Sequence, residues 1–171
     1  MCDVLQSGRL VRMTVRTLIL LRHAKAADPD DYATDIERPL RPRGRRDAAA
    51  AGAWLREQGL LPDAVLCSPS ARTRQTVQEL GMNTVPVVYE ERVYHGPAPD
   101  TLDLVQQTGA EVSTLLVVGH NPTLSELSDM LAPDALPGTG LATSGLAVHR
   151  FEGTWHALTA ASLSAHHTAR G

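Results

Sequence analysis

Apolar positions along the chain follow two kinds of pattern. Thr17–Leu21 and Thr114–Val118 are unbroken apolar runs, and Asp63–Cys67 and Val85–Tyr89 are further runs of the same type. A short run that does not alternate reads as a strand covered on both faces. Between these runs the spacing becomes helical. Over Gly44–Gln58, Ala48, Ala51, Trp54 and Leu55 share one face, while Arg45, Arg46, Arg56 and Glu57 take the other. A second helix is predicted from Ser68 to Leu80, and Gly59 and Gly81 are placed to end these two. A third covers Pro99–Gln107. A fourth opens at Asn121-Pro122 and carries the stripe Leu124, Leu127, Leu131. Ser68-Pro69 and Asn121-Pro122 both read as an N-cap residue followed by proline at the first helical position.

The remaining segments are weaker. Leu146–Phe151 alternates and predicts an edge strand, and Thr154–Leu158 predicts one more. Residues 26–43 have no period and read as a long surface loop. The Ala- and His-rich stretch 159–171 reads as a frayed tail. Residues 1–12 read as a disordered arm, with Met13 as an alternative start, so a single domain is expected over 13–158. Strands that alternate with helices imply parallel pairing through right-handed crossovers. The fold class expected is therefore α/β, a three-layer sandwich with a mostly parallel central sheet flanked by helices on both faces.

Composition narrows the function classes. The net charge of −3 gives no basic field for nucleic acid. No run is long enough to span a membrane, and residues 1–12 lack the apolar core of a signal peptide. Cys2 and Cys67 do not suggest a structural disulfide, which fits a reducing, cytoplasmic setting. Lys25 is the only lysine, so the basic side chains are otherwise arginines, the residue suited to bidentate phosphate contacts.

The chemistry gathers at the ends of the apolar runs. Arg22-His23 follows the first, Ser68-Pro69-Ser70-Ala71-Arg72 the second and Gly119-His120-Asn121-Pro122 the fourth. In an open α/β sheet, ligands bind outside the carboxyl ends of the strands. A neutral imidazole at His23 is a competent nucleophile toward phosphorus. Arg22 beside it can offset charge that builds in the transition state, and adjacent cations disfavour the imidazolium form. Arg72, in a first helical turn, adds a guanidinium and a helix N-terminus at the same edge. His120 precedes another helix and can donate to a phosphoryl oxygen.

These stretches resemble the histidine phosphatase superfamily, also called phosphoglycerate mutase-like, and within it the small SixA-type phosphohistidine phosphatases. The resemblance rests on Leu20–Lys25, on Arg38-Pro39-Leu40 with Arg43-Gly44, on Ser68–Arg72 with Gln75-Thr76, and on Val118–Pro122. It extends from residue 17 to about residue 150. It implies His23 as a phosphorylated nucleophile, with Arg22, Arg72 and His120 forming the phosphate pocket and no metal or other cofactor. Lys25 and Arg38 are expected to rim the site and bind substrate. The implied function is a phosphatase acting on a phosphohistidine-bearing signalling protein, such as a histidine phosphotransfer domain. A broad phosphatase of small phosphate esters and a non-catalytic phosphoprotein-binding module are the alternatives.

One departure bears on substrate. Larger relatives place a glutamate acid after the third strand, within an inserted subdomain that this chain is too short to hold. Here the stretch is Glu90-Glu91-Arg92-Val93-Tyr94-His95-Gly96, so His95 or Glu91 would supply the proton. A weak acid favours an imidazole leaving group over an alkoxide. Two other chemistries stay open. In a cysteine phosphatase built on Cys67, Arg72 comes after four intervening residues and Arg74 after six, whereas that loop needs five. A metallohydrolase would use His23, His95 and His120.

Overall fold

The computed structural model describes residues 14–171; the expectations for Cys2 and for residues 1–12 lie outside them. The elements run β1 (Val15–Arg22), α1 (Pro42–Glu57), β2 (Ala64–Cys67), α2 (Ala71–Glu79), β3 (Val87–Tyr89), α3 (Arg92–His95), α4 (Ala98–Gln106), β4 (Thr114–Gly119), α5 (Thr123–Leu131), β5 (Gly145–Glu152) and β6 (Ser162–Thr168). The strands form one sheet in the order β3-β2-β4-β1-β5-β6. β1, β2, β3 and β4 are mutually parallel, and β5 pairs antiparallel with both β1 and β6. This is the mostly parallel α/β sheet expected.

The unbroken apolar runs have a direct cause. β1 and β4 are central, and their alternate side chains enter two separate cores. Leu18, Leu20, Leu115 and Val117 pack with Val105 of α4 and with Leu124, Leu127 and Leu131 of α5. Ile19, Leu21, Leu116 and Val118 pack on the opposite face with Ala51 and Leu55 of α1 and with Leu80. α1 therefore covers one face and α5 the other. The chain leaves β1 toward the first face and neighbouring β4 toward the second. The carboxyl ends of two adjacent strands whose connections part in this way leave a crevice between them.

Several expectations are corrected. β5 is not an edge strand; it lies between β1 and β6. Residues 154–158 hold a 3₁₀ turn, Trp155–Ala157. The stretch 159–171 is not frayed, because Ser162–Thr168 pairs along β5 and His167 stacks on Trp54 with ring centroids 4.6 Å apart. Its small and polar residues gave no apolar run to read. α2 begins at Ala71, not at Ser68-Pro69, because the Ser68 amide still bonds to Val118 O of β4 (3.0 Å). Ser70 is the N-cap residue, and its hydroxyl meets that of Thr73 at 2.7 Å. α5 likewise begins after Pro122. The Asn121 side chain donates instead to Leu141 O (2.7 Å) and accepts from Ser125 Oγ (2.9 Å), tying the helix start to the loop before β5. The loop 26–43 carries two 3₁₀ turns, Pro29–Asp31 and Asp35–Glu37, and α1 starts at Pro42.

Candidate active site

The crevice between β1 and β4 opens into a cavity of about 360 Å³ lined by Arg22, His23, Asp35, Arg38, Arg72, Tyr94, His95, His120 and Asn121. A larger groove of about 550 Å³ lies alongside and shares only Asn121 with it. That groove has Glu126, Asp129 and Asp134 in its lining and, among the described residues, no basic one. An anion belongs in the first cavity and is repelled from the second.

His23 directly follows β1, and its amide continues the ladder to Gly119 O (3.0 Å). The side chain is buried, and Nδ1 lies 2.8 Å from Ala24 O. A carbonyl only accepts, so Nδ1 carries the proton and Nε2 keeps its lone pair. Burial holds the ring well below the ordinary histidine value, at about 4, and the guanidiniums of Arg72, Arg22 and Arg38 push in the same direction. His23 is thus neutral at pH 7, with the lone pair on Nε2 fixed by one tautomer.

His120, one residue past β4, stands with its ring centroid 5.1 Å from that of His23. Arg72 Nη2 approaches its Nδ1 at 3.3 Å, and Nε2 lies 2.8 Å from Ser68 Oγ. A guanidinium only donates, so Nδ1 accepts and the proton of neutral His120 sits on Nε2. Burial again dominates, lowering this ring to about 3.

Arg72 enters from the first turn of α2 and is 4% exposed. Arg22 closes the far side and donates from Nη1 to Leu141 O (2.9 Å). The Nε groups of Arg22, Arg38 and Arg72 are all buried without a hydrogen-bond partner among the described residues. An unsatisfied buried donor costs about 1–3 kcal/mol. Three guanidiniums on residues lining one cavity suit it to an anion.

The structure brings Arg22, His23, Arg38, Arg72, His95 and His120 together. It does not bring Lys25 or Glu91. Lys25 is exposed and outside the lining; its backbone carbonyl accepts from the Arg41 amide where α1 begins (2.9 Å). Glu91 is exposed outside the cavity as well, and its carbonyl holds the amides of Tyr94 and His95 in α3. Sequence reasoning missed Ser68, Asp35 and Tyr94. Asp35 Oδ2 accepts from Arg72 Nη2 and from Tyr94 Oη, each at 2.8 Å, and Asp35 O accepts from Arg72 Nη1 at 2.7 Å. The Tyr94 ring stands edge-on to His120 (5.4 Å) and close to His95 (3.9 Å).

The rival chemistries find little geometry. Cys67 is fully buried in the core under α1, and its thiol is pushed up to about 12 by burial, which leaves no thiolate. No group of three or more His, Cys, Asp or Glu side chains among the described residues is placed to hold a metal ion.

Comparison with known proteins gives the same class as the site. Residues 18–94 match the model of the histidine phosphatase superfamily, branch 1. An uncharacterized protein of Mycobacterium tuberculosis is 47% identical over 146 residues, covering 79% of this chain and 89% of that protein. The phosphohistidine phosphatase SixA of Escherichia coli is 30% identical over 125 residues, covering 70% and 76%. A candidate phosphohistidine phosphatase SixA of Nakamurella multipartitia superposes with a TM-score of 0.82 at 35% identity, covering 91% of this chain and 96% of that one. A protein histidine phosphatase SixA complexed with tungstate superposes at 0.77 with 25% identity, covering 89% and 96%.

The chain belongs to the histidine phosphatase superfamily, and it is a phosphatase. Within that superfamily it stands in the SixA-type branch.

Proposed function

We infer that the chain hydrolyses phosphohistidine on a protein through a covalent intermediate on His23. The observation that carries this reading is the His23 ring itself. It is neutral, locked by Ala24 O on its Nδ1 side, and shares its cavity with Arg22, Arg38 and Arg72. Nε2 attacks phosphorus in line while Arg22, Arg72 and Arg38 take the equatorial oxygens and their developing charge. His120 holds Arg72 through Nδ1 while its Nε2–H rests on Ser68 Oγ. Water then releases phosphate from His23. These groups supply the charge stabilisation without a metal ion.

Support for a protein substrate comes from the open mouth, where His95 is exposed and no inserted subdomain among the described residues closes the cavity. The SixA relatives carry phosphohistidine and protein histidine phosphatase in their names, and one is complexed with tungstate, a tetrahedral oxyanion. The test is phosphate release from a phosphohistidine-bearing protein and from p-nitrophenyl phosphate under matched conditions. A higher kcat/KM on the protein is expected. Turnover of the ester alone would overturn the substrate reading.

No helix among the described residues is long and apolar enough to cross a membrane.

A further inference from the structure

Among the described residues, Asp35 is the one acidic side chain in the lining of the cavity. A carboxylate beside a phosphate pocket repels the group that the pocket must admit, so its position asks for a use. Oδ2 is occupied by Arg72 Nη2 and Tyr94 Oη. Among the described residues Oδ1 meets only Arg38 Nη2, at 3.4 Å. The side chain is 49% exposed, against 5% for that of Arg72. Asp35 therefore stands at the mouth with a spare lone pair on Oδ1, while buried His23 lies at the floor. In-line displacement places the leaving group opposite the attacking nitrogen, which is toward the mouth.

We propose that Asp35 accepts a hydrogen bond from the distal ring N–H of the departing imidazole, and so makes the pocket selective for phosphohistidine over phosphate esters. This rests on the reading of His23 as nucleophile. The substrate ring enters protonated on its distal nitrogen. His23 Nε2 forms its bond to phosphorus as the P–N bond of the substrate breaks. The electron pair of that bond stays on the leaving nitrogen, and the distal proton stays in place. A neutral imidazole departs, and the positive ring charge passes to phosphorylated His23, whose Nδ1–H remains on Ala24 O. No proton moves to the leaving atom.

The arrangement treats the two imidazoles alike. Ala24 O holds the far nitrogen of the ring that gains the phosphoryl group, and Asp35 holds the far nitrogen of the ring that loses it. An ester has no such N–H. It meets the carboxylate only as a repulsive charge, and an alkyl ester's bridging oxygen also needs a proton that Asp35 does not carry. The ion pairs with Arg72 and Arg38 and the Tyr94 hydroxyl all favour the anion.

The experiment compares wild type, Asp35→Asn and Asp35→Glu on a phosphohistidine peptide and on p-nitrophenyl phosphate. Asparagine should lower kcat/KM on the peptide more than on the ester, by a ratio of about ten- to a hundredfold, the worth of a hydrogen bond to a charged group. Glutamate, which keeps the charge, should recover part of that ratio. Equal losses on both substrates would make Asp35 a mere support for Arg72 and overturn the proposal, with the phosphohistidine reading intact. A wild-type protein that cleaves only the ester would overturn both.

Discussion

His23 and His120 face each other across the phosphate cavity with ring centroids 5.1 Å apart, and each commits its ring protons to a different partner. His23 spends Nδ1–H on Ala24 O and keeps Nε2 bare; His120 spends Nε2–H on Ser68 Oγ and turns Nδ1 to Arg72. Burial among guanidiniums keeps both rings neutral, and their hydrogen-bond partners fix opposite tautomers.

This fixes the pH dependence of turnover. His23 must be neutral to attack, and its ring titrates at about 4. kcat/KM should fall as pH drops through about 4 and should show no enzyme limb near the ordinary histidine value. A pH–rate profile corrected for substrate ionisation checks this, and an acid limb at about 6.5 would mean that His23 is solvated.

The same shifts set the pH dependence of stability. In the unfolded chain these histidines take up protons below about 6.5. In the folded protein His23 and buried His149 do so only near about 4, and His120 near about 3. The unfolded state binds more protons in that window, so stability should be fully present above about pH 6.5 and fall progressively below it. Denaturant unfolding across pH measures the slope. His149→Gln, which removes a ring bonded to Ser128 Oγ (2.8 Å), should flatten part of it.

Arg72→Ala removes a buried guanidinium that also holds His120 and Asp35. Loss of a charge-stabilising donor costs on the order of 10²-fold or more in rate. A rate near wild type in steady-state assays would place Arg72 outside the reaction.

His95 lies at the mouth and can donate to a leaving oxygen. His95→Ala should therefore slow phosphate-ester hydrolysis more than phosphohistidine hydrolysis. Equal loss on both substrates would remove its role as an acid.

Gly52 lets α1 approach the end of α2. A Cβ there would fall 2.2 Å from Leu80 O, a backbone atom that cannot swing aside. Gly52→Ala should destabilise by about 1–3 kcal/mol, read as a lower urea midpoint.

The sequence showed most where one strong pattern met one chemical residue. Arg22, His23, Arg72 and His120 were legible because each ends, or closely follows, a strand marked by apolar residues, and parallel pairing brings those ends to one edge. Asp35 and Tyr94 were not legible. They reach the cavity from an aperiodic loop and from the four-residue helix α3, neither of which leaves a spacing to read. Lys25 and Glu91 were misplaced because each is close in sequence to a lining residue but falls outside the cavity. β6 was missed because its residues are small or polar and its order comes from pairing with β5 and stacking on Trp54.

The most direct test of the mechanism is to trap the phosphoenzyme. The protein is mixed rapidly with a phosphohistidine-bearing protein, quenched without acid and digested for peptide mass analysis, with His23→Ala run in parallel. A phosphoryl group, labile in acid and stable in base, is expected on the peptide that contains His23, and phosphate release should be abolished in the variant. A phosphoryl group on the peptide of Cys67 or His120, or undiminished release by His23→Ala, would contradict nucleophilic catalysis by His23.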